Sequence, residues 1–156
     1  MRSLLKVNRV TRVLAILLFV VAPTISAQSD EVGRVHALIE SVAQNMQEGN
    51  LAALDNLYSF GRGVHIIEGT GVNHGWVDYR DHHLKPELEA FKNLRVRYFA
   101  IEPQIRGEVA FSSFRYELIA DTESGHIELE GRGTLVLEKL DGQWKIIHSH
   151  TSGRRK

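Results

Sequence analysis

The chain has 156 residues, 19 basic and 19 acidic side chains, a formal net charge of zero and no cysteine. That length suits a single domain. The lack of cysteine excludes disulfides, thiolate metal ligands and thiol nucleophiles, and the balanced charge excludes the basic footprint of a nucleic-acid binder.

At the N-terminus, Arg2, Lys6, Arg9 and Arg12 form a basic head. Val13 to Ala22 is an unbroken apolar run, and small residues before Gln28 offer a cleavage point after Ala27. This is the layout of a secretory signal peptide. The run is shorter than the about 20 apolar residues a membrane-crossing helix needs. Residues 1–27 are therefore expected to be removed on export to the periplasm or the exterior, with no stable membrane anchoring afterwards. Their removal takes four basic and no acidic residues. The remaining 129 residues carry 15 basic and 19 acidic side chains, so the domain is mildly acidic. The domain is expected over residues 28–153, with 154–156 as a flexible, solvated tail.

The spacing predicts a helix over Asp30 to Glu48, since Val32, Val35, Ile39, Val42 and Met46 recur at three and four, with Asp30 as N-cap and Gly49 as stop. Asn50 caps a short second helix carrying Leu51, Leu54 and Leu57. "VHIIE" (Val64 to Glu68) reads as a strand and "GTGVNHG" as a loop. Trp76 to Phe91 reads as a third helix. Pro86 cannot donate to the His82 carbonyl, which predicts a kink. Four strands follow, over Leu94 to Ile105, Val109 to Ala120, Ile127 to Lys139 and Gln143 to Thr151, separated by "RGE", "DTESG" and "LDG". Helices first and a strand meander afterwards define an α+β class.

Projected at 100° per residue, the third helix places Trp76, Val77, Leu84, Leu88 and Phe91 in one arc, with Tyr79 at its edge. Arg80, His83 and Glu87 fall inside that arc, three and four residues apart. Polar groups on an apolar face form either a self-satisfied network or the wall of a cavity whose occupant meets them. On the strands, Ser113, Arg115 and Glu117 share one face, and Phe114, Tyr116 and Leu118 the other. His148 and His150 likewise share a face. A metal set of His83, Glu87, His148 and His150 is conceivable but not favoured, and no cofactor is expected.

The order of elements and the ending "GRGTLVLEKLDGQWKIIHSHTSG" resemble the SnoaL-like branch of the nuclear transport factor 2-like superfamily, over roughly Val32 to Gly153. Asp141, Gly142, Trp144, His148, His150, Ser152 and Gly153 also resemble the ending of the calcium/calmodulin-dependent kinase association domain. The helix "W..YR.HHL.PEL..F" resembles exported, uncharacterised SnoaL-like proteins. The resemblance implies a cone: a strongly curved, mostly antiparallel sheet wrapped around three N-terminal helices, a pocket between them, and pairing into a homodimer. It also implies that Arg80 and Arg115 face the pocket. Members include isomerases, cyclases, dehydratases and silent binding modules, so the fold leaves function open.

Three readings follow. In the first, the domain binds a small anionic or carbonyl-bearing molecule, with Trp76, Tyr79, Arg80, His83, Glu87, Arg115, Tyr116, His148 and His150 around it. In the second, it is an isomerase, cyclase or lyase with His83 or His148 as general base. The third is the metal set above.

Overall fold

The computed structural model describes residues 25–156 except Arg62. The basic head and apolar run of the expected signal peptide lie outside the described residues. Helix α1 (Ile25–Gln47) is followed by α2 (Leu51–Asp55). Asn50 caps α2 as expected, its side chain accepting from the Ala53 N–H at 3.1 Å. Gly49, with φ of +65°, ends α1 in the left-handed region that glycine tolerates. Asp30, by contrast, lies inside α1, which begins at Ile25.

Strands β1 (His65–Glu68) and β2 (Gly71–His74) form a hairpin, so the expected loop is a strand. Gly-Val-Asn-His lacks β-branched alternation and does not announce itself. It is held from outside, because Asp78 Oδ2 accepts from Asn73 Nδ2 at 3.1 Å and from the His74 N–H at 3.0 Å. The third helix comprises α3 (Trp76–Tyr79), a π-helical segment (Arg80–Leu84) and α4 (Lys85–Ala90). The Lys85 N–H donates to the Arg80 carbonyl, five residues back. Where a kink is expected from Pro86, the helix widens by a π-turn, the usual relief for a proline that cannot complete the α ladder.

Strands β3 (Lys92–Arg106), β4 (Val109–Thr122), β5 (Gly125–Leu140) and β6 (Gln143–Arg155) form an antiparallel meander. The six-stranded sheet runs β2-β1-β6-β5-β4-β3, with β1 parallel to β6. Asp141 and Gly142 both take positive φ in the β5–β6 turn, as a two-residue hairpin turn requires. The sheet is curved, unclosed and mostly antiparallel, and the helices lie on its inner face. The expected flexible tail is largely strand: β6 runs to Arg155, and Arg154 pairs with Glu130 at 2.7 Å.

The core is Val35, Ile39 and Val42 of α1 against Ala110, Phe114, Leu135, Leu137 and Ile146 of the sheet. Besides a register shift at the start of β3, between Lys92 and Arg95, two bulges within the strands shape the inner face. In β3 the register shifts between Phe99 and Glu102, where Ala100 has φ of +50°. In β6, Ile146 pairs with Leu137 and His148 with Val136, so Ile147 is inserted without a partner. Each bulge bends its strand and moves every later side chain to the opposite face.

Candidate functional site

Inside the cone lies a cavity of about 40 Å³. It is lined by Tyr58, Tyr79, Tyr98, Tyr116 and Glu68, with Met46, Ile66, Val96, Leu118, Ser149 and Thr151 completing the wall. The chain has four tyrosines in all, and all four meet here. In this conformation there is room for about three waters.

Glycine spacing places two of the rings. A Cβ at Gly131 or Gly153 would run into the Tyr116 side chain, and one at Gly133 into the Phe114 ring. Bare backbone on β5 and β6 therefore gives these rings somewhere to lie. The four phenols are all pushed above their ordinary range, first by burial, with the charge of Glu68 adding to it. They stay protonated and available as donors. Tyr79 uses its hydroxyl on Glu68 Oε2, at 3.0 Å.

Glu68 is the junction between the cavity and the third helix. His83 Nε2 lies 3.6 Å from Glu68 Oε2 and 3.4 Å from Glu87 Oε1. Among the described residues this is the one group of three or more donors close enough to share an ion. Glu87 is pushed above the usual carboxylate range by burial first and by the charge of Glu68 second, with His83 acting the other way. A carboxyl raised in the folded state contributes its full stability below its unfolded pKa of about 4.3 and loses it as pH rises through the folded value. Glu87→Gln is thus expected to be more stable than the parent protein at pH 7, with the difference closing below about pH 4. Urea unfolding of the metal-free proteins at both pH values reads this, and a constant difference would refute the assignment.

The expected site residues separate. Tyr79 and Tyr116 line the cavity, and His83 and Glu87 stand behind Glu68. Trp76 is core, stacked on Tyr58 at 4.0 Å. Arg80 does not line the cavity. Its Nη1 donates to Asp55 at 2.9 Å, and its Nε and Nη2 donate to Asp81 at 2.7 and 3.0 Å, so all three nitrogens are engaged. Arg115 stands on the outer face, near the Phe99 ring and beside an open groove with Glu130, Arg132 and Arg154. His148 and His150 share a face as expected, but it is the outer one, because the Ile147 bulge turns Ser149 and Thr151 inward instead. His148 lies in register with His65, whose ring meets that of His74 edge-on at 5.1 Å. The four-residue set of His83, Glu87, His148 and His150 therefore does not converge.

Glu68, Tyr58, Tyr98, Ser149 and Thr151 are polar lining residues not expected from the sequence. Glu68 had one visible signal, an acid ending a β-branched strand whose inward side chain is Ile66 two residues earlier.

Residues 35–154 match the SnoaL-like domain family. Among solved structures, a nuclear transport factor 2-like superfamily protein from Salmonella enterica is 18% identical over 83% of this chain and 95% of that one, with a TM-score of 0.76. A protein from Shewanella frigidimarina, provisionally assigned as a ketosteroid isomerase, is 27% identical over 74% of this chain and 92% of its own, with a TM-score of 0.63. A provisionally assigned calcium/calmodulin-dependent kinase II association domain from Xanthomonas campestris is 19% identical over 77% and 85%, with a TM-score of 0.64. No curated protein matches.

Proposed function

Because the chain belongs to the SnoaL-like family within the nuclear transport factor 2-like superfamily, we propose that it binds a small, neutral, carbonyl- or hydroxyl-bearing molecule inside the cone. The observation that carries this reading is the convergence of four tyrosines and one carboxylate on a single cavity. Protonated phenols donate to a carbonyl, and Glu68 accepts from a hydroxyl. Among the described residues, no cationic side chain lines the cavity. The anionic ligand expected from Arg80 and Arg115 thus loses its basis, since Glu68 would repel it.

The test is a thermal-shift screen of small carbonyl and hydroxylated compounds, followed by titration of any hit. Tyr116→Phe should weaken binding about fivefold, the worth of one hydrogen bond near 1 kcal/mol. His148→Ala with His150→Ala should leave it unchanged. Binding that ignores Tyr116 and disappears with Arg115→Ala would move the site to the outer face.

A second reading is proton transfer next to a carbonyl. The favouring observation is that, among the described residues, Glu68 is the one carboxylate of the cavity wall, with phenols beside it to stabilise an enolate. Running the same hits in D₂O distinguishes the two: deuterium uptake lost in Glu68→Gln supports catalysis, and no uptake leaves binding. Export and pairing of two copies belong to the same proposal. The exposed Val109 and Phe111, 40% and 41% accessible on the outer face, support pairing. Sedimentation velocity and N-terminal sequencing of the exported protein read the two.

A further inference from the structure

We infer that Glu68, His83 and Glu87 form a binding site for one divalent first-row metal ion, with zinc as the best-suited member. The donor set is one imidazole nitrogen and two carboxylate oxygens, drawn from β1, the π-helical segment and α4. Metal bonds of about 2.0–2.2 Å at tetrahedral angles separate donor atoms by about 3.3–3.6 Å. His83 Nε2 stands 3.4 Å and 3.6 Å from its two neighbours. Those separations are long for charge-assisted hydrogen bonds, which favour about 2.7–2.9 Å. They are ordinary for ligands around a common ion.

Three further features agree. Two carboxylates share this corner with a single imidazole, all three donor atoms lying within 4.8 Å of one another. A divalent cation balances two carboxylate charges, whereas a protonated imidazole offsets only one of them. The Tyr79 hydroxyl donates to Glu68 Oε2 at 3.0 Å, the kind of outer hydrogen bond that orients a ligating carboxylate. The π-turn supplies the last. It keeps Tyr79, His83 and Glu87 on one stripe of the helix facing β1, despite Pro86 between them. Three protein ligands would leave a fourth position, and Glu68 also borders the cavity. The site therefore goes beyond the binding of an organic molecule and does not depend on it.

The experiment uses the full domain without a His tag, washed with chelator and titrated with zinc in a calorimeter. One site per chain is expected, along with a zinc-dependent rise in melting temperature. His83→Ala and Glu68→Gln should each weaken binding by about 100-fold. Glu87→Gln, nearly isosteric, should do the same and decides the matter if His83→Ala fails to fold. The outer-face pair His65→Ala with His148→Ala should leave the affinity within about threefold. A folded parent protein that takes up no zinc overturns the inference. So does zinc binding that survives Glu87→Gln, or that is lost in the outer-face pair.

Discussion

Replacing Trp76 with alanine should lower the unfolding free energy by about 3–5 kcal/mol, the cost of deleting a large aromatic side chain from a packed core. Trp76 is 1% exposed, and its ring lies flat on Tyr58 at 4.0 Å with 9° between the planes. Its indole N–H donates to Asp55 Oδ1 at 2.6 Å, the same oxygen that takes Arg80 Nη1 at 2.9 Å. The side chain thus ties the third helix to α2 and backs one cavity tyrosine. Trp76→Phe is the control. It keeps a ring against Tyr58, gives up the hydrogen bond, and should cost about 1–2 kcal/mol beyond the lost area. With total stabilities of about 5–15 kcal/mol, the alanine variant should unfold at markedly lower urea. Equal midpoints for the two variants would show that the stack contributes little.

The second large effect is expected at Gly133 and Gly131, where one added methyl group does different harm at each site. A Cβ at Gly133 would press on the Phe114 ring and on the His150 carbonyl. Phe114 is 2% exposed and has nowhere to go. Gly133→Ala should therefore cost about 1–3 kcal/mol through overpacking. At Gly131 the added Cβ would run into the Ser152 carbonyl oxygen as well as the Tyr116 ring, and since backbone cannot turn aside, a cost in stability comes together with a displaced cavity ring. Gly131→Ala should therefore lose ligand affinity as well as stability, whereas Gly133→Ala should lose stability alone. Paired measurements of urea midpoint and ligand titration separate the two. If both variants matched the parent in both measurements, the glycines would not be what seats these rings.

The element order was legible because its signals are local. Apolar spacing of three and four along α1 and alternation along β3 to β6 report which side of each element meets a core. Asn50 and Asp141-Gly142 satisfy turn and cap chemistry within a few residues, and each behaves as read. β2 was missed because its hold comes from Asp78, a residue outside it. Half of the candidate site could be read from the third helix, where Tyr79, His83 and Glu87 are joined by periodicity. The other half comes from β1, β3, β4 and α2's neighbour Tyr58, and no spacing rule links those segments.

The assignment of faces shows where local reading stops. The alternation of β6 from Trp144 and Ile146 would carry His148 and His150 onto the core side. A single inserted residue, Ile147, reverses them and delivers Ser149 and Thr151 to the cavity. Ala100 does the same in β3, so that Ile101, Pro103 and Ile105 follow Val96 and Tyr98 on the inner side. Ile147 sits in an apolar, β-branched run and looks like any strand residue. A bulge depends on how two strands must bend past each other to wrap the helices, an energy shared between segments far apart in the chain. The amino-acid order was thus enough to establish the α+β class, the family and the aromatic and acidic groups available. Which of those groups meet in one cavity was set by sheet curvature and register, since side-chain direction in a strand has a period of two and one extra residue inverts it.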